Sequence, residues 1–190
     1  MAQTSASLIS ARTTRAHEQV LRLTEDLPEA VLRWQAGPRA PAICFHVWHL
    51  ARWADKVQAS LPSLTPELGR RLAVAEEIWV AEALAARWGL TPGQLGGSDT
   101  GMGLDDDASA ALRLPARDEL LAYARRAFAT TDQRLAAIDA TDLVAPCTDL
   151  YGTPNVVGDV LLSHLGHVNR HLGMIVALRG VQGMSGTATW

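Results

Sequence analysis

The chain has few cysteines and no long apolar run, and each shortage excludes a class of protein. Its 2 cysteines, Cys44 and Cys147, lie far apart and form no C-x-x-C motif, so no disulfide framework is expected. No apolar run reaches the roughly 18 residues that a transmembrane helix needs. The first twenty or so residues contain no apolar segment behind a basic start, so we expect no signal peptide, no membrane partner and a cytoplasmic location.

The chain also lacks a strong excess of either positive or negative charge. The formal net charge is -3, and the basic residues occur singly or in pairs rather than as a stripe. Nucleic-acid binding depends on a basic surface, so no nucleic-acid partner is predicted. The hydrophobic fraction of 48% and the charged fraction of 19% are typical of a globular protein. We expect a single domain over residues 1–190.

The hydrophobic period is helical along nearly the whole chain, and no strand pattern of any length is present. Four long helices are predicted, over residues 5–26, 41–60, 115–139 and 156–180. Asn155 is the expected N-cap of the last helix, and Gly180 its expected end. Between the second and third long helices we predict short helices over 66–73 and 75–88 and a surface loop over 95–107. The fold class is therefore all-α, a four-helix bundle, and the long connection favours a crossover.

Five of the 6 histidines form two clusters. His46 and His49 lie one turn apart on the second long helix, and His164, His167 and His171 fall on one stripe of the last, since each helical residue advances about 100°. Apolar neighbours direct both stripes inward, where an imidazole must form a hydrogen bond or bind a metal. A histidine pair at i, i+4 with a third ligand from the second helix would make an open three-histidine site, which is typical of catalytic zinc centres.

Other interpretations of the same histidines are weaker or remain open. A di-iron bundle needs Glu-x-x-His motifs and a zincin needs His-Glu-x-x-His, and the chain has neither. Haem ligation is an alternative, although the chain has no C-x-x-C-H attachment motif. A plain helical domain whose histidines form only hydrogen bonds is a further one.

Two motifs carry a resemblance to a known family. HLARWAD, residues 49–55, and HVNRHLGMI, residues 167–175, resemble the second-helix and last-helix motifs of the DinB/YfiT-like superfamily. The segments 76–90 and 177–190 also look like one branch of it. This resemblance covers roughly residues 8–185. It implies a metal-binding four-helix bundle, a homodimer and a divalent ion, zinc or nickel, bound by His49, His167 and His171.

The same resemblance implies a chemistry. Some related enzymes use a low-molecular-weight thiol, bacillithiol or mycothiol, as cofactor. HLARWAD is similar to the motif of a mycothiol-dependent maleylpyruvate isomerase, but that enzyme carries Glu where this chain has His167, so its reaction does not transfer.

His46 and His164 each precede a matched position by three residues. Each is predicted either to support the site from the core or to serve as a fourth ligand or general base, which makes both catalytic candidates. Arg52 and Trp53 follow His49 by three and four residues. They are candidates for cofactor binding: Arg52 holds an anionic group or forms a surface ion pair, and Trp53 lines the pocket or packs in the core.

Asn169 and Arg170 fall off the histidine stripe of the last helix. They are expected to face another helix or solvent.

These observations favour a divalent-metal-binding protein with a small-molecule substrate. The leading prediction is a metal-dependent enzyme of thiol S-transferase type acting on a small electrophile, with a hydrolase as the broader possibility. The alternative is a non-catalytic metal-binding or stress-response module.

Overall fold

A computed structural model of the chain describes residues 4–185, so the last five residues of the segment 177–190 lie outside it. The described part contains short and long helices and one small hairpin. Their bounds are α1 (Ser5–Thr24), α2 (Glu29–Leu32), α3 (Ile43–Leu64), α4 (Pro66–Arg71), α5 (Ile78–Ala81), α6 (Leu84–Arg87), α7 (Asp106–Ala111), α8 (Arg117–Leu135), β1 (Pro146–Thr148), β2 (Pro154–Val156) and α9 (Val157–Val181).

The four long helices α1, α3, α8 and α9 form a bundle, which confirms the predicted all-α fold class. α1 packs against α8 and α9, and α3 packs against the same two helices. Consecutive long helices α1 and α3 therefore occupy diagonal corners, and so do α8 and α9. The connection from α3 to α8 joins adjacent corners, so the crossovers lie in the other two connections.

The second long helix continues beyond its predicted end at residue 60. Pro62 lies inside α3, where it removes one backbone hydrogen bond but does not end the helix. Leu61 and Leu64 are both buried in a second apolar cluster with α4 and α9, and this packing stabilises the last turn. Thr65 then ends α3, and its hydroxyl accepts a hydrogen bond from the Leu68 amide at 3.1 Å, which begins α4.

The predicted helix over 75–88 is wrong as a single element. Ala83 adopts a left-handed conformation, φ 48°, between α5 and α6. This reversal lets Trp79 and Trp88 pack edge to face, with ring centroids 5.2 Å apart, and lets both contact the ring of Tyr123 on α8. Packing of the buried Trp79 and the partly buried Trp88 against Tyr123 outweighs the helical propensity of an alanine-rich stretch.

Other short elements were not predicted. α2 lies between the first and second predicted long helices, α7 begins within the predicted loop, and the hairpin of β1 and β2 lies where no strand was expected. Asn155 pairs with Cys147 in that hairpin, so the N-cap of α9 is Val156 rather than Asn155. α9 also passes Gly180 by one residue.

The main apolar core surrounds α3, whose Trp48 is fully buried together with Phe128 of α8 and Ile175 of α9. This central position places the second-helix histidines inside the bundle. Within the described residues, no helix combines the length and the apolarity that crossing a membrane requires.

Candidate metal centre

Three imidazoles meet where α3 packs against α9. His49 comes from α3, and His167 and His171 come from successive turns of α9. One ring nitrogen of each lies within 4.8 Å of the others. The ring centroids are 4.8 Å apart for His49 and His167 and 4.6 Å for the other two pairs. The structure therefore brings together the three residues predicted as metal ligands.

The ring of His49 is held by the loop above it. Its Nδ1 donates a hydrogen bond to the backbone carbonyl of Thr100. A neutral imidazole with its proton on Nδ1 has a lone pair on Nε2, so this hydrogen bond selects the tautomer that can bind a metal. Gly101 has φ 86°, and a Cβ there would lie 3.0 Å from the His49 ring and 3.0 Å from Trp48. The loop approaches the site this closely because residue 101 has no side chain.

The donor set fits a divalent ion. The Nε2 atoms of His49 and His167 are 2.9 Å apart, close to the roughly 3.3 Å that two nitrogens bound to one tetrahedral zinc would have from metal–nitrogen bonds of about 2.0–2.1 Å. Three neutral nitrogen ligands suit zinc, nickel, copper and iron alike. Three histidines near one another could thus hold a metal ion.

His46 lies behind His171 and does not line the cavity. Their Nδ1 atoms are 3.0 Å apart, so one must donate to the other. When the His171 Nδ1–H is the donor, His171 Nε2 keeps its lone pair for a metal. This contact places His46 where it would orient the ring of His171. Hydrogen-bond partners of metal-bound histidines commonly have this supporting role.

Burial keeps these histidines neutral. Desolvation lowers the pKa of His46, His49 and His167 to about 4, and lowers that of His171 to about 2 with help from the neighbouring imidazoles. Only neutral imidazole binds metal, so the fold holds the cluster ready at neutral pH.

The site opens onto a cavity of about 700 Å³, a volume that suits a small molecule. Trp53 lies on its wall, with its ring centroid 5.8 Å from that of His167 and 5.8 Å from that of Tyr151 in the β1–β2 turn. Its prediction as a pocket residue agrees with this position, and its role in binding a cofactor remains a prediction. Phe45, Met102 and Tyr151 extend the apolar wall.

His164 also lines the cavity, and behind it lies a pair that sequence reasoning missed. His17 of α1 is the sixth histidine, outside the two sequence clusters, and its Nδ1 lies 2.8 Å from the Asp132 carboxylate of α8. Its ring lies 5.5 Å from that of His164. The Nε2 atoms of both histidines are buried and have no hydrogen-bond partner within the described protein, and burial lowers the pKa of His164 well below its usual value.

Arg52 does not line the cavity and is only 1% exposed. Its guanidinium lies 3.3 Å from the Asp55 carboxylate and 2.7 Å from that of Glu77, so the expected surface ion pair is a buried one. Its Nε donates to the Asp99 carbonyl at 2.8 Å, one residue before the carbonyl that holds His49. This position does not support the prediction of Arg52 as a cofactor-binding residue; it anchors the loop over the metal centre instead.

Comparisons with known proteins agree with this architecture. The sequence profile described as DinB superfamily matches residues 12–175. A crystal structure titled as the conserved protein of locus from Enterococcus faecalis superposes with a TM-score of 0.72 at 21% identity, covering 96% of this chain and 99% of that one. That identity supports the shared fold alone. No curated protein matches.

Proposed function

We propose that this chain, which belongs to the DinB superfamily, is a metal-dependent enzyme that transfers a thiol to a small electrophile. One observation carries the proposal: the three-histidine group lies at the wall of a cavity large enough for a small molecule, rather than closed inside the core. A purely structural site would be enclosed by four protein ligands, whereas three protein ligands leave a position for a reactant.

The reaction would be a substitution at carbon. The thiol loses its proton, its sulfur forms a bond to the electrophilic carbon, and the leaving group departs with the electron pair of the bond that breaks. A divalent ion at the three histidines would supply the Lewis acidity that lowers the pKa of a thiol. The cofactor thiol would be of the bacillithiol or mycothiol kind.

The chain's own residues would perform the remaining tasks. Trp53 and Tyr151 would cover the reactants and exclude water from one side of the cavity. His164 would accept the thiol proton; in support, it is the one histidine of the cavity wall, within the described residues, that is not a predicted ligand. His46 would act through His171 by fixing its ring.

Elemental analysis of the untagged protein tests the metal, beside the variants His49→Ala, His167→Ala and His171→Ala. We expect about one divalent ion per chain, lost in each variant, and retained in a His17→Gln control because His17 does not contact the three-histidine group. Absence of metal after reconstitution with zinc or nickel would exclude any metal-dependent function.

Turnover tests the reaction. Metal-loaded protein is mixed with model electrophiles and bacillithiol, mycothiol, glutathione or coenzyme A, and product is followed with and without a chelator. If the protein binds stoichiometric metal but shows no metal-dependent turnover with any thiol, the transferase proposal is contradicted. That result would favour the alternative, a non-catalytic metal-binding module.

A further inference from the structure

Arg170 lies on the cavity wall beside the metal centre, which the helical stripe did not predict. It directly precedes His171 on α9 and is the one cationic side chain among the lining residues. It was expected to face another helix or solvent, and it is indeed exposed to solvent while also lining the cavity. A long side chain reaches around the helix, so a residue just off a stripe can still contribute to the site on that stripe.

The guanidinium of Arg170 has no hydrogen bond or ion pair within residues 4–185. The acidic residue on the same wall, Asp149, is already engaged: its carboxylate accepts hydrogen bonds from the backbone amides of Tyr151 and Thr153, both at 2.9 Å. Arg170 is exposed and lines the cavity, so its guanidinium, with five donors, is open to a ligand that enters.

Arg170 lies on the same cavity wall as the three-histidine group. Three neutral imidazoles leave the full charge of a bound divalent ion uncompensated, and Arg170 adds a further positive charge against the single negative charge of Asp149. Repulsion of this kind is relieved when a ligand brings negative charge into the cavity.

We propose that Arg170 is an anion-binding residue that selects a small ligand carrying a carboxylate on an apolar, aromatic-sized body. A planar guanidinium binds a carboxylate through two parallel hydrogen bonds. Phe45, Trp53, Met102 and Tyr151 form the apolar wall that would receive the rest of the molecule. The proposal rests on the proposed function for the identity of the cavity as a substrate site, and adds the chemical class of its ligand.

Binding without turnover is the first test. Calorimetry compares phenylpropanoate with the neutral phenylpropanol, on metal-free and on zinc-loaded protein. We expect the carboxylate to bind more tightly in both forms, and Arg170→Gln to weaken it about tenfold or more in both, because a charged hydrogen-bonded pair is lost. Arg170→Lys should weaken it less. Arg12→Gln, at an exposed position of α1 outside the cavity wall, makes the same change of charge and should have no effect.

The outcomes separate this inference from the proposed function. Equal affinity of Arg170→Gln and the parent for phenylpropanoate, or carboxylate binding that needs zinc and ignores residue 170, would overturn the inference. If the parent shows turnover, two matched pairs locate the anion: mercaptoacetate against mercaptoethanol, and bromomethylbenzoate against benzyl bromide. If kcat/KM is higher for the carboxylate in the thiol pair and Arg170→Gln removes this preference, the anion belongs to the thiol. The same result in the electrophile pair assigns the anion to the electrophile. Binding that depends on Arg170 but is not followed by turnover would support the anion-binding role of Arg170 and contradict the transferase proposal.

Discussion

Replacing Gly101 by alanine should weaken metal binding by displacing the ring of His49, although no ligand residue is changed. The added Cβ would lie 3.0 Å from the His49 Nδ1 and 3.0 Å from the Trp48 ring. That is closer than atoms of this kind normally pack, so either the loop or the imidazole must move by a few tenths of an ångström. Either movement disturbs the hydrogen bond from His49 to the Thr100 carbonyl.

The magnitude has two parts. Forcing a residue with a Cβ into φ 86° costs about 1–2 kcal/mol of folding stability, which corresponds to a fall in melting temperature of about 2–8 °C for a chain of this size. Loss of a hydrogen bond that orients a metal-binding histidine lowers metal affinity by about 10–100-fold. The backbone strain lowers folding stability, whereas the displaced His49 ring lowers metal affinity.

Gly103 offers a matched control in the same loop. Its φ is 75°, and a Cβ there would meet nothing within 4 Å. Gly103→Ala should therefore lose comparable stability and leave metal affinity unchanged. The assay is zinc affinity from competition with a chromophoric chelator, beside thermal unfolding of both variants. Equal affinities in the two variants, whether both weakened or both unchanged, would refute the role assigned to Gly101.

Three further predictions follow from the buried polar groups. Because the pKa values of His46, His49 and His167 are lowered to about 4 from 6.5, the unfolded chain binds more protons between those values, so the metal-free protein should lose up to about 1.4 kcal/mol per pH unit per histidine as pH falls through that window; urea unfolding at several pH values measures this, and a flat profile would contradict it. Asp55→Ala should cost about 3–5 kcal/mol, because it leaves the charge of Arg52 buried with less compensation; a loss below about 1 kcal/mol would show that the pair is unimportant. Zinc in hundredfold excess over its Kd should stabilise the protein by about 2.7 kcal/mol, an effect that a chelator reverses.

The three-histidine group could be predicted from the sequence because most of the information that specifies it lies in short local motifs. His167 and His171 share a face by helical geometry alone, and their motif together with that of His49 carries the family resemblance. The Thr100 carbonyl could not be predicted in this way, since a backbone acceptor leaves no trace in side-chain identity. The pairing of His17 with Asp132 was missed because 115 residues separate them and only the packing of α1 on α8 brings them together.

The short elements show a similar limit. Strands of three residues are too brief to establish an alternating pattern, so the hairpin was invisible. The break at Ala83 follows from the packing of Trp79 and Trp88 around Tyr123, a tertiary effect that overrides helix propensity. The long helices were predicted within a few residues at each end because their apolar periodicity extends over several turns.

His49 and His167 are 118 residues apart in the chain. This separation determines when the site can form during synthesis. A ribosome-bound chain that has completed α3 presents His49 without either partner, because both partners lie in α9, which is synthesised after α8. The three-histidine group therefore forms only after α9 has packed against α3, and any metal bound there would be loaded after this step of folding. A bound ion would then join two distant parts of the chain, so its release should speed unfolding more than it slows folding.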